Sequence, residues 1–285
     1  MDLKRNAATA VEGVPTEEEL VRIGEGCSLA CRFCPHGQGR AGARLAEVLA
    51  PSFQVPVARR VTIQAGDVLR PELAPLVRRI RAAGASSVLI YVHPGLLDVG
   101  PTLDVLAEAG LSGVHLLLPA ASRELMAHLT GGLGTLARTA SLIKQVNARS
   151  LDTAIEIPVV EASVAALPDT VSRALNLIAR PERIVLRFLA EFDPVRGPVP
   201  WDIATAAGPI DEAVAVARAR AVPLMLGHPE VPPPCLLNVP HATPDLYPSL
   251  SVSHAAGAQQ PVSDVCASCA VARVCPADGR FVQAV

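Results

Sequence analysis

Aromatic side chains are scarce in this sequence of 285 residues: one Trp, two Tyr and five Phe, or 3% of the chain. A large core must therefore be filled by Leu, Val, Ile and Ala, which the 50% apolar content can supply. Runs of Lys or Arg are also missing, and the net charge is −2. That excludes the basic footprint of a nucleic-acid-binding surface. The first residues, Met1 to Gly13, are polar and of mixed charge, without the apolar stretch of a secretory leader, and no run approaches membrane-spanning length. Neither nucleic acid nor membrane is expected as a partner, and a cytoplasmic location follows. No internal repeat or low-complexity tract is present.

Cysteine is absent from the middle two hundred residues and concentrated at the two ends. The seven cysteines fall as Cys27, Cys31 and Cys34, then Cys235, then Cys266, Cys269 and Cys275. An odd number gathered in short groups reads as metal sites in a reducing compartment and not as a disulfide framework.

Between the groups, short β-branched runs alternate with amphipathic stretches. Strands are predicted over 20–24, 61–65, 87–92, 113–118, 153–160 and 183–190. Helices are predicted over 42–49, 71–82, 101–109, 122–129 with 135–147, and 167–178. Pro71 and Pro101 suit a first helical turn, and Gly84 and Gly110 suit C-terminal caps. Six strand–helix units predict an α/β fold, a partial (β/α)6 TIM-like barrel with its chemistry at the strand C-termini. The pattern weakens after Phe192. Segment 193–201 is proline-rich, a helix is predicted over 209–220 and a strand over 222–226, and the chain is loop-like from His228. The expected division is 1–19 as an N-terminal extension, 20–227 as the barrel and 228–285 as a small loop-rich cysteine segment.

Cys27-Ser-Leu-Ala-Cys31-Arg-Phe-Cys34 follows the first predicted strand. Three thiolates on one short loop can hold an iron–sulfur cube and leave one iron without a protein ligand, as catalysis at a metal requires. The competing reading is a Cys₃His zinc site completed by His36, for which two residues after Cys34 is a tight spacing. In the tail, Cys266-x-x-Cys269-x₅-Cys275 together with Cys235, which three prolines precede, offers four thiolates. That suffices for one further [4Fe–4S] cluster or for a zinc ribbon.

The first group, with Phe33 ahead of its last cysteine, resembles the signature of the radical S-adenosylmethionine (radical SAM) superfamily. The resemblance implies a [4Fe–4S] cluster on Cys27, Cys31 and Cys34, with S-adenosylmethionine on the open iron. It further implies one-electron cleavage to a 5′-deoxyadenosyl radical, and an electron donor of flavodoxin or ferredoxin type. Gln64-Ala65-Gly66-Asp67 stands where the family has Gly-Gly-Glu against the SAM amino group, with Ala65 replacing the first glycine. The segment from Ser122 to Gly131, with His128, resembles a helix start in members that carry appended clusters. The tail is similar to part of the auxiliary-cluster domains called SPASM and twitch. A further cysteine expected four residues on is Gly279 here, which limits the tail to one cluster.

Strand alternation puts Glu156 and Arg187 opposite aliphatic neighbours, where they would face the barrel lumen as an internal ion pair or as contacts to SAM or substrate. His93 ends the third strand on the functional face, beside Tyr91, and His228 lies near the domain junction. Glu156, Arg187 and His93 are the catalytic candidates. The expected reaction is an oxidation of a small molecule or peptide aided by the auxiliary cluster. The alternatives are a peptide maturase that epimerises or forms C–C or C–S bonds and, outside the class, an iron–sulfur electron carrier or a zinc-stabilised binding protein.

Overall fold

Seven short runs, most of them rich in Val, Ile and Leu, pair side by side in parallel to make one sheet. They are β1 (Thr16–Arg22), β2 (Ala58–Gln64), β3 (Ser87–Val92), β4 (Gly113–Leu117), β5 (Asp152–Val159), β6 (Arg183–Phe188) and, at the far edge, β9 (Leu224–Gly227), in the order β1-β2-β3-β4-β5-β6-β9. A computed structural model describes residues 16–23, 31–33, 44–65, 69–95, 99–132, 134–178, 181–189, 191–193, 197–199, 201–227 and 237. Each strand aligns with the next in a parallel register, as Leu89 with Gly113 and Ile155 with Ile184 show.

The helices between the strands are α1 (Leu45–Leu49), α2 (Ala74–Ala82), α3 (Gly100–Glu108), α4 (Arg123–Thr130), α5 (Leu136–Asn147), α6 (Leu167–Leu177) and α7 (Ala207–Ala219). Their buried faces, such as Leu76, Val77 and Ile80 of α2 or Val171, Ala174 and Leu175 of α6, join the outer face of the sheet in one aliphatic core. Gly84 and Gly110 follow α2 and α3 at φ 102° and 104°, the left-handed conformation expected of a helix-ending glycine. Ser122 and Thr135 cap α4 and α5, each accepting a backbone N–H through its side-chain oxygen.

The sheet is a curled half-barrel, the α/β fold expected. Side chains from strands that are not neighbours meet on its concave face. Arg183 of β6 bonds Glu18 of β1, and Arg60 of β2 pairs with Glu182 just before β6. β1 and β2 start earlier than predicted, at Thr16 and Ala58, and three further details depart from the sequence reading. The sheet continues past six units, because the run predicted over 222–226 joins it as β9. The helix predicted over 71–82 divides into a 3₁₀ turn, Pro71–Leu73, and α2; Pro75 has no N–H to donate to the Pro71 carbonyl, so the α-helical ladder starts afresh there. In the proline-rich stretch, β7 (Glu191–Asp193) and β8 (Gly197–Val199) form a small antiparallel ribbon. Among the described residues no helix is long and apolar enough to cross a membrane.

Candidate active site

Two-residue alternation decides what faces the concave side. Val114 and Leu116 of β4, Ile155 and Ile157 of β5, and Leu186 and Phe188 of β6 belong to the helix-covered core. The intervening His115, Glu156 and Arg187 therefore turn the other way. Parallel register then brings them together: Tyr91 aligns with His115, Leu117 with Glu156, and Pro158 with Arg187.

Glu156 is the hub of this group. It is 3% exposed, so its carboxylate needs partners within the protein. Tyr91 Oη donates to Glu156 Oε1 at 2.7 Å, reaching over β4, and Arg187 Nη2 donates to Oε2 at 2.7 Å. His115 Nε2 lies 3.7 Å from the same Oε2, and the His115 and Tyr91 rings are 5.4 Å apart, tilted by 55°. Burial is the largest influence on the Glu156 carboxyl and pushes its pKa up, but the Arg187 charge and the two hydrogen bonds together hold it below the usual carboxylate value. Arg187 is raised in turn, chiefly by Glu156. Burial pulls His115 down to about 4, against a smaller upward pull from Glu156. At neutral pH the group is thus a carboxylate, a guanidinium, a phenol and a neutral imidazole.

The second constellation lies at the C-terminal edge of the strands. Cys31 is 7% exposed, and its Sγ is 3.0 Å from Nε2 of His93, which directly follows β3 and is 4% exposed. The Gly95 N–H donates to His93 Nδ1 at 2.8 Å. Beside Cys31, the Arg32 N–H donates to the Leu129 carbonyl in α4 at 3.0 Å, and Phe33 is buried in the core. Ala65, next after β2, is buried there too. A buried sulfur with an imidazole nitrogen directed at it suits a thiolate ligand, whose charge requires a donor once water is excluded. Cys31, the one cysteine of its loop among the described residues, thus has surroundings that suit a metal-bound thiolate.

Of the residues read from the sequence, the structure brings Glu156 and Arg187 into an ion pair and sets His93 against Cys31. Cys27, Cys34, Gly66, Asp67, His228, Cys235, Cys266, Cys269 and Cys275 lie outside the described residues. His128 on α4 is half exposed and 3.9 Å from Glu191. His115 escaped the sequence reading, yet the alternation that singles out Glu156 also marks it, a lone polar residue in Gly-Val-His-Leu-Leu.

No protein-family model matches the chain, and no curated protein does. Solved structures do. SuiB of Streptococcus suis bound to S-adenosylmethionine aligns with a TM-score of 0.54 at 16% identity, over 76% of this chain and 51% of SuiB. SuiB bound to its precursor peptide SuiA aligns with a TM-score of 0.55 at 16% identity, over 75% and 49%. Coproporphyrinogen III oxidase (HemN) from Escherichia coli, described as a radical SAM enzyme, aligns with a TM-score of 0.51 at 14% identity, over 72% and 53%. These likenesses show the shared fold. The chain spans about half the length of the structures it matches.

Proposed function

We propose that this chain is a radical SAM enzyme whose cluster loop is Cys27, Cys31 and Cys34. What carries this reading is Cys31, the middle cysteine of a C-x₃-C-x₂-C loop, buried at the strand C-termini of a half-barrel with an imidazole nitrogen 3.0 Å from its sulfur. The shared fold with SuiB and HemN supports it. When bound, the [4Fe–4S] cluster supplies the electron that splits S-adenosylmethionine into methionine and a 5′-deoxyadenosyl radical, which takes a hydrogen atom from substrate.

The chain's own residues divide the remaining work. Phe33 and Ala65, both buried, would bring apolar surface to the cofactor. Gly66 and Asp67 follow Ala65 and would meet the amino group of S-adenosylmethionine. Glu156, held ionised by Arg187 and Tyr91, is a weak base, so its part is to fix the orientation of polar groups brought onto the concave face. Arg187, a quarter exposed, carries that patch toward bound substrate. Cys235, Cys266, Cys269 and Cys275 would hold the auxiliary [4Fe–4S] cluster in the tail segment 228–285, beyond the barrel. Such a cluster would suit an oxidation, taking the second electron from the substrate radical while the accompanying proton is released to solvent. A peptide substrate is supported by the SuiB structure with its precursor peptide, and a small molecule fits the same face. The electron donor would be of flavodoxin or ferredoxin type.

Anaerobic reconstitution tests the whole reading. About eight irons with matching sulfide are expected for two cubes, and dithionite with S-adenosylmethionine should yield 5′-deoxyadenosine. Replacing Cys27, Cys31 and Cys34 with Ala should abolish that product, while Cys266→Ala should retain cleavage uncoupled from substrate. Zinc without sulfide, or a loaded protein that forms no 5′-deoxyadenosine, would overturn it.

A further inference from the structure

We propose that His93 is a positioning residue that donates an N–H···S hydrogen bond to Cys31, and so sets how readily the cluster accepts its electron. The inference rests on the reading of Cys31 as a cluster ligand.

Backbone geometry fixes the direction of the bond. The Gly95 N–H can only donate, and it meets His93 Nδ1 at 2.8 Å. Nδ1 therefore presents its lone pair, and the proton of the neutral ring sits on Nε2. That nitrogen lies 3.0 Å from Cys31 Sγ, so its N–H points at the sulfur.

The rival role, in which Nε2 is itself a metal ligand alongside the thiolate, fails on two counts. A lone pair on Nε2 would move the ring proton to Nδ1, and two N–H groups would then face each other at 2.8 Å. Co-ligation also sets a separation. Bonds of about 2.3 Å to sulfur and about 2.05 Å to nitrogen on a tetrahedral ion hold the two atoms roughly 3.6 Å apart. The observed 3.0 Å would compress the angle at the metal to about a right angle.

A donor on a cluster thiolate stabilises the added negative charge of the reduced state, and within a site closed to water that effect is large. His93 is well placed for it, because both atoms of the contact are buried. Loss of the donor should make the cluster harder to reduce.

The test is an EPR-monitored redox titration of the reconstituted full chain, with His93→Leu and His93→Gln beside the wild type. The Leu variant should load iron normally yet favour the oxidised cluster by about tenfold, which is a downward shift of 59 mV for one electron. Gln places an amide N–H at a similar reach and should recover much of that shift. Pulsed EPR of the reduced wild type should show a weak nitrogen coupling and an exchangeable proton, both lost in the Leu variant. An unchanged potential in the Leu variant overturns the proposal while leaving the enzyme reading intact. So does a strong nitrogen coupling of direct ligation, or loss of the cube from both variants. A wild-type chain that holds no iron–sulfur cluster overturns both.

Discussion

Arg183 of β6 and Glu18 of β1 join across the concave face by two parallel N–H···O bonds of 2.8 and 2.6 Å, although their strands are never neighbours. This fork is a strut that holds the sheet's curl. Burial pushes the Glu18 carboxyl up most strongly, but the bonds and charge of Arg183 outweigh it and leave the pKa below the ordinary value. The sign follows: the strut stabilises the fold above the usual carboxylate range, and its contribution is lost as pH falls through the lower folded value. Glu18 is partly solvated, so Glu18→Gln should cost about 1–2 kcal/mol at pH 7, after discounting for screening. Adding Arg183→Met should cost less than the sum of the two single changes. Urea midpoints check both, and an unshifted midpoint in Glu18→Gln would show that the strut holds nothing.

His115 should make the fold acid-sensitive well above the carboxylate range. Its folded pKa is pulled from 6.5 to about 4, chiefly by burial. Between those values the unfolded chain binds a proton that the folded chain refuses, so stability declines as pH falls through this window. The loss should reach about 2–3 kcal/mol by pH 4.5. Urea titrations at pH 7 and 4.5 read it directly, and His115→Gln should flatten the slope. A wild-type slope no steeper than the variant's would remove His115 as its source.

The strands read most closely from the sequence are mainly apolar runs bounded by turn residues. Ser87–Val92 matches its prediction at both ends because Gly84 and Pro94 punctuate a continuous aliphatic run. The missed starts of β1 and β2 share one cause. Glu18 and Arg60 look like solvated polar residues in sequence, yet their partners Arg183 and Glu182 arrive from 165 and 122 positions away. Contacts that skip a strand are equally hidden: Tyr91 reaches Glu156 across β4, and Cys31 meets His93 only once β3 is docked. Local periodicity says which face a side chain takes, while register says whom it meets there.

Glu156 and Arg187 should behave as a single unit. Glu156→Gln leaves the Arg187 guanidinium without its counter-charge and should cost about 2–4 kcal/mol. The double change Glu156→Gln with Arg187→Met should be milder than the sum by more than about 1 kcal/mol. Denaturation of the four proteins of this cycle gives the coupling, and strict additivity would mean that the 2.7 Å contact carries no net energy.

Gly113 opens β4 where any Cβ would press into the Asp152 backbone, at 2.9 Å from its carbonyl carbon and closer still to the oxygen. Two strand backbones cannot give way as a flexible side chain can, so Gly113→Ala should cost more than about 2 kcal/mol. Hydrogen exchange should show the loss concentrated where β4 meets β5. A variant as stable as the wild type would mean that this edge of the sheet yields freely.

The surroundings of Cys31 are delivered well after the cysteine itself. The imidazole beside its sulfur is 62 positions downstream, and the carbonyl that anchors the next residue belongs to Leu129, further on still. A nascent chain that has emerged only as far as β3 carries the thiol without the helix that grips its loop. On the proposed reading of Cys31 as a cluster ligand, iron delivery belongs after translation of the front half of the sheet, and a ribosome-stalled fragment ending before α4 should be a poor acceptor.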